Sequence, residues 1–408
     1  MKNKQNRTLG AFEKTFWLLD YIDSKDFAIA GEIEGHRPVS EWREALDKAQ
    51  RRHPNLSVRI LMDAYSRPVF KHATWMPIPM RVLEVDQGHR WEQEVEKELA
   101  TRFRTEKEVL ARAILVQRPN DTVLILTGHH ATADGTSMTY LFRDILTAIN
   151  GQELEPMQPQ KSNDETLGLP EDQGAIGSER AIPLVKVKKT FAPKISSLRF
   201  STKNTTRIIE RSREEKTTVH GALCAAVLMA SRNMRKEWSD KKIELISPIC
   251  SRKALGVDDS FGLNITTHPV YFEGDQQLSF WDLARLAKAG LEGTDTAEHV
   301  RNYINFFRDL TFNTADIQKI IDTLKEAFNQ EIMVTNLGPI KFGTKFGPLK
   351  LKALYGPMVR SGKGQEQTIG VITTNGSLCL TNTSDTPIDG LLEEMENILV
   401  EATNTVLK

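Results

Sequence analysis

The sequence predicts an α/β protein made of two layers, each a mixed sheet with helices. Three observations predict it. Strand-like runs interleave with helical periodicities on both sides of the chain's middle, one proline-rich break separates the two sides, and 408 residues suffice for two cores of ordinary size. The break covers residues 150–183, with four prolines, several glycines and no aromatic residue. It sets residues 1–150 apart as a first half, 151–183 as a linker and 184–408 as a second half.

In the first half, Trp42, Ala45, Leu46 and Ala49 recur at helical spacing over residues 40–53, and Pro54 stops that helix. Strand-like runs follow at 56–62, 69–72, 79–85, 111–117 and 122–130, with a helix at 91–103 between them. Beyond the linker, helices are expected at 204–215, 218–234, 280–292, 297–310, 315–329 and 388–404. Strands are expected at 244–247, 265–272, 331–335 and 349–355, with a hairpin turning at Asn375-Gly376. No internal repeat is visible in the sequence.

Composition narrows the function. Lys and Arg total 54 against 54 Asp and Glu, so there is no net basic field of the kind that holds a protein on nucleic-acid phosphates or an anionic membrane. The three cysteines, Cys224, Cys250 and Cys379, are too scattered for a disulfide framework or a zinc site. They are read as small buried hydrophobes in a reducing compartment. The N-terminal FWLL run is flanked by Glu13, Lys14 and Asp20 and makes no signal-peptide core. No segment reaches the ~18 uncharged apolar residues of a membrane span. The expectation is a soluble, cytoplasmic protein.

Chemistry concentrates in residues 122–146, TVLILTGHHATADGTSMTYLFRDIL. The run from Val123 to Leu126 is apolar on both faces, as in a strand buried at the middle of a sheet. Met138, Leu141, Phe142, Ile145 and Leu146 form the apolar stripe of the helix that follows. Successive strand residues point to opposite faces, so His129 and His130 do not converge on one metal, and the string H-H-x-x-x-D is not read as a metal site. One histidine faces the chemistry and the other packs. From the residues alone two readings stay open. In one, Asp134 caps the helix and the histidine satisfies itself on backbone carbonyls. In the other, a neutral histidine at a strand's carboxyl end serves as a general base.

HHATADG, from His129 to Gly135, resembles the HHxxxDG signature of the acyltransferase superfamily. That superfamily includes chloramphenicol acetyltransferase, the condensation domains of nonribosomal peptide synthetases and the polyketide-associated acyltransferases. LGAFEKTFWLLD near the N-terminus and AQRRHPNLSVRIL at 49–61 resemble the opening segments of stand-alone members. SPICSR (247–252), SFGLN (260–264) and VTNLG (334–338) resemble the second-half blocks. The DFGWG block of the plant branch is missing.

The resemblance implies two chloramphenicol-acetyltransferase-like domains forming a V around a central channel. It implies acyl transfer from an acyl-CoA or a phosphopantetheinyl thioester to a small alcohol or amine, with no covalent enzyme intermediate and no tightly bound cofactor. His130 corresponds to the base and Asp134 to a carboxylate that organises the loop. Gly135 would let the backbone turn and offer its N–H to an oxyanion. His129 is read as structural, grouped with Asn336, Arg252 and Asn264 as the substrate-binding set. Asn336 is either a polar contact in the channel or a turn amide serving Gly338, and Arg252 and Asn264 face the same choice, architectural before catalytic.

The densest positive cluster, Lys186, Lys188, Lys189 and Lys194 with Arg207, Arg211 and Arg213, is either a solvated face or an edge that meets the phosphates of coenzyme A or of an acyl carrier protein. Two other enzyme-like strings fail. GPMVRSGKG at 356–364 has five residues where a P-loop has four and lacks the Ser or Thr after its lysine, and no G-x-S-x-G elbow exists. His220 opens a helix and is read as buried or capping. Two alternatives to acyl transfer remain: amide-forming condensation between carrier-bound groups, and a non-catalytic relative that only binds a thioester.

Overall fold

A computed structural model describes residues 6–21, 23–74, 76–174, 191–274, 278–312, 317–361 and 364–404. The chain opens with β1 (Arg7–Thr8), α1 (Ala11–Leu19), β2 (Asp26–Glu34), α2 (Val39–Arg52), β3 (Val58–Met62), β4 (Pro68–His72) and β5 (Met80–Glu84). It continues through α3 (Trp91–Leu99), β6 (Ala111–Gln117), β7 (Asp121–His129) and α4 (Gly135–Ile149). Neither α1 nor β2 was expected. Every residue of α1 is buried, so the helix shows no polar face to the sequence.

The expected linker is docked as far as Gly174. Ser162 caps a short helix, α5 (Asn163–Thr166), and Asp164 accepts from Ala11 N and from Arg308 at 2.9 and 2.8 Å. Asp172 pairs with Lys14 at 2.7 Å. These acidic side chains hold the stretch against α1; residues 175–183 lie outside the described residues.

The second part comprises β8 (Lys194–Arg199), α6 (Thr202–Glu214), α7 (Val219–Met234), β9 (Ile243–Cys250), α8 (Arg252–Leu255), β10 (Ile265–Phe272), α9 (Phe280–Ala289), α10 (Ala297–Thr311) and α11 (Ile317–Ala327). It ends with β11 (Ile332–Pro339), β12 (Lys345–Phe346), β13 (Leu349–Val359), β14 (Gln367–Thr374), β15 (Ser377–Ser384) and α12 (Leu391–Asn404). Ser201, Thr218, Ser279 and Thr296 each cap a helix by accepting a first-turn N–H. The β14–β15 hairpin turns at Asn375 and Gly376, both at positive φ, as the Asn-Gly pair predicts.

Two six-stranded mixed sheets carry the fold, in the orders β12-β13-β2-β7-β6-β5 and β10-β9-β11-β14-β15-β8, with a small sheet β1-β4-β3 beside them. The first sheet takes strands from both sides of the expected linker. β13 pairs antiparallel with β2, and Leu351 and Leu354 join the core that α2 and α4 cover. In return, α3 closes the β8 edge of the second sheet: Glu96 accepts from Ile195 N at 3.1 Å and Glu92 from Ser197 Oγ at 2.7 Å. A third core is built on α1, α10 and α11 together with Val58, Ile60 and Phe70 of the small sheet. No described helix is long and apolar enough to cross a membrane.

Candidate active site

β7 lies in the interior of the first sheet, between β2 and β6, and is buried on both faces. Leu124 and Leu126 point into the core under α4, Val123 and Ile125 into the one under α3. The two histidines at its end inherit this alternation. His129 is fully buried, directly across from Asp26 on β2. His130, one residue beyond the strand, lines a cavity of about 140 Å³ between the two sheets.

The His130 ring lies between Phe16 and Phe27, with ring centroids 4.6 and 4.3 Å away and both contacts stacked. Its Nδ1 is 3.2 Å from the Ala133 carbonyl, which fixes the proton on Nδ1 and leaves the Nε2 lone pair. Burial pushes its pKa down to about 4, so the ring is neutral at pH 7.

Asp134 caps α4 by accepting from Ser137 N at 2.8 Å, and its other oxygen accepts from Asn264 N at 2.7 Å and from Arg252 at 2.8 Å. Arg252 also donates to Ser137 Oγ and to Gly262 O, at 2.7 and 3.3 Å. Burial works against the guanidinium's charge, but the Asp134 carboxylate overrides it and raises the pKa above its ordinary value. The capping reading is realised in geometry, with Asp134 as the cap and His130 on a backbone carbonyl, and the His130 ring also lines the cavity.

Gly135 is needed for space rather than for a turn. Its φ is not positive, and a Cβ there would lie 2.5 Å from Pro357 and 3.1 Å from Leu337 of the second part of the chain. Among the described residues its N–H, at the first position of α4, has no acceptor.

The remaining candidates separate. Asn336 lines the cavity, and its Oδ1 accepts from Gly338 N at 2.9 Å, so it is at once channel wall and turn amide. Arg252 lines a second cavity of about 450 Å³, which meets the first at Thr136, Cys250 and Leu337. Asn264 is fully buried and lines neither cavity; its backbone, not its side chain, holds Asp134. His129 likewise lines neither. Its Nδ1 accepts from Ala131 N at 3.0 Å and its Nε2 faces Asp20 at 3.8 Å. Burial opposes charge on this ring, but Asp20 and Asp26 raise its pKa above the ordinary value.

Ligating atoms of Asp20, Asp26 and His129 lie within 4.8 Å of one another, a grouping the H-H-x-x-x-D string does not contain. The Arg102 and Arg112 guanidiniums already bring positive charge to that spot.

One expectation changes. Cys224 and Cys379 are buried, but Cys250 is exposed and lines both cavities. Of the basic cluster, Lys194 pairs with Glu96, Arg211 pairs with Glu215, and neither these nor Arg207 and Arg213 line the cavities. Lys186, Lys188 and Lys189 lie outside the described residues. His220 bonds Ser247 Oγ at 2.8 Å and lines neither cavity. Sequence reasoning missed Phe16, Lys25 and Phe27. The only signal for them was a short apolar run and a strand of small residues.

Residues 27–303 match the condensation-domain family. The chain belongs to that family. Surfactin synthase subunit 2 of Bacillus subtilis (strain 168) is 23% identical over 357 residues, 81% of this chain but 10% of that protein. The chain thus spans about a tenth of the length of that relative. Among solved structures, the first condensation domain of the CDA synthetase covers 98% of this chain, and the match covers 97% of that chain, with a TM-score of 0.72 at 15% identity. Polyketide synthase associated protein 5 from Mycobacterium tuberculosis matches over 99% of both chains, with a TM-score of 0.70 at 15% identity. The two sheets meeting at His130 are this condensation-domain fold.

Proposed function

We propose that the protein transfers an acyl group from a thioester, carried by coenzyme A or by the phosphopantetheine arm of a carrier protein, to an alcohol or amine. The observation that carries this reading is the neutral His130 ring, clamped between Phe16 and Phe27 with Nδ1 on the Ala133 carbonyl and Nε2 left for the cavity.

Nε2 takes the proton from the acceptor O–H or N–H as that atom bonds to the thioester carbonyl carbon. The carbonyl oxygen becomes an oxyanion, for which the Gly135 N–H at the start of α4, without an acceptor among the described residues, is a donor. Collapse breaks the carbon–sulfur bond, and the imidazolium returns its proton to the leaving thiolate. A site that depresses the histidine's pKa makes a weaker base but a stronger acid, which favours this second transfer. Asp134 acts through the loop: bound to Arg252 and two backbone N–H groups, it fixes the residues that carry the base.

Membership of the condensation-domain family supports a second reading, in which donor and acceptor both ride on carrier proteins and the new bond is an amide or ester. Thiol release from free acyl-CoA and from acyl-loaded carrier protein, each with a mixed set of alcohols and amines, separates the two. H130A is expected to keep its far-ultraviolet circular dichroism and to lose transfer by about 10²- to 10⁴-fold. Full turnover by H130A would refute the role of His130, and absence of transfer in the wild type with every donor would leave only thioester binding.

A further inference from the structure

Lys25 stands immediately before β2 in the wall of the His130 cavity. Its backbone is pinned at both ends, its N–H to Asp20 at 3.1 Å and its carbonyl to the His130 N–H at 3.0 Å. Its side chain is only 12% exposed, yet the ammonium has one carboxylate within reach, Asp23 at 4.0 Å, and no hydrogen-bond acceptor among the described residues. Asp23 shares its charge with a second cation: its Oδ1 faces Arg360 at 3.0 Å and accepts from Ser24 N, while its Oδ2 is the atom that faces Lys25. Glu366, whose carboxyl is pushed up to about 7 by burial, is a weak counter-ion. Arg360 lines the same cavity but is held by Asp23 and Asp385, at 3.0 and 2.8 Å. Lys25 is therefore the less compensated of the two cations, among walls that include Phe16, Leu19, Phe328 and Met333. An ammonium so placed attracts an anion far more strongly than one in open water.

We propose that Lys25 selects a co-substrate carrying a carboxylate, so that the small group seated beside His130 is anionic and not purely aliphatic. This rests on the acyl-transfer reading of the same cavity. The phosphates of coenzyme A or a carrier arm are a poor fit to Lys25, because they lie a full pantetheine arm from the reacting sulfur while Lys25 is bonded through its backbone to His130. A cavity of about 140 Å³ suits a group of roughly benzene size, which a short dicarboxylic acyl chain or an amino-acid acceptor satisfies.

Calorimetric binding, which needs no turnover, tests the proposal with two pairs of probes on the full chain. Succinyl-pantetheine is set against its neutral isostere 4-methylpentanoyl-pantetheine, and alanine against alaninamide. At least one carboxylate-bearing member is expected to bind about tenfold or more tighter than its partner without the carboxylate. The pair that shows the difference identifies donor or acceptor as the carrier of the charge. K25M is expected to bring that ratio close to one and K25R to keep most of it. Ratios near one for both pairs in the wild type, or a ratio that survives in K25M, would overturn the proposal. So would a K25M protein that loses kcat equally with anionic and neutral donors at an unchanged binding ratio, since that is the signature of an oxyanion donor. Charge-selective binding without any transfer would instead refute the acyl-transfer reading and leave the role of Lys25 standing.

Discussion

Replacing Arg252 by Met tests whether the contact between the two sheets is also what holds the motif loop. The Arg252 and Asp134 side chains are 6% and 0% exposed, and the guanidinium reaches Asp134, Ser137 and Gly262, all on the far side of a turn or on the other half of the chain. Removing one partner of a buried pair costs about 3–5 kcal/mol, because the other charge is left in a poor solvent. Asp134 would keep two charge-assisted bonds from Ser137 N and Asn264 N, which places R252M at the low end, about 3 kcal/mol. D134N removes the charge from the other side. The double variant D134N/R252M is therefore expected to cost less than the sum of the singles by about 1–3 kcal/mol. Equilibrium urea unfolding, followed by tryptophan fluorescence and circular dichroism together, measures all four proteins. An R252M within about 1 kcal/mol of wild type, or strictly additive singles, would refute the argument that this pair staples the halves.

Two other perturbations follow from the geometry. G135A places a methyl group 2.5 Å from Pro357 and against Leu337, so the sheets must separate locally; transfer is expected to fall by about tenfold or more while stability falls by only about 1–3 kcal/mol, and equal rates for G135A and wild type would sink the close-approach argument. Asp26 is buried, with Oδ1 unpartnered; burial, reinforced by Asp20, raises its carboxyl to about 7. The unfolded chain releases this proton near pH 3.8 and the folded chain only near 7, so Asp26 withdraws stability as pH rises across that window and is neutral to stability below it. D26N is expected to stabilise the protein at pH 8 relative to wild type and to do so less at pH 5, measured as denaturant midpoints; a D26N benefit that is the same at both pH values would contradict the assignment.

How far the fold could be read from the sequence depended on whether an element's signal was local. The helix from Val39 and the hairpin at Asn375-Gly376 announce themselves by a 3.6-residue period and by a turn only certain residues adopt. α1 gave no such signal because all nine of its residues are buried, and β2 gave a weak one because Ala28, Ala30 and Gly31 make a strand of small residues between β13 and β7. That β13 pairs with β2, nearly the whole chain away, is information no single segment contains. The break at 150–183 is compositionally distinct and reads as a linker, yet its acidic residues dock it as far as Gly174, and docking depends on Lys14 and Arg308 being nearby in space.

The site divides along the same line. His130 and Asp134 were legible because one heptapeptide holds them, whereas the surroundings that set their chemistry come from elsewhere in the sequence. Phe16 and Phe27 desolvate the ring, Asp26 answers His129 across the strands, and Arg252 answers Asp134 from the other half. Because Gly135 packs close to Pro357 and Asp134 pairs with Arg252, the His130 loop and the cavity wall opposite it form only when both parts of the chain are packed together. Activity and the stability of that packing should therefore move together for Arg252 and Gly135. They should move apart for Lys25, whose ammonium reaches only Asp23, at 4.0 Å, among the described residues and whose replacement alters what the cavity prefers.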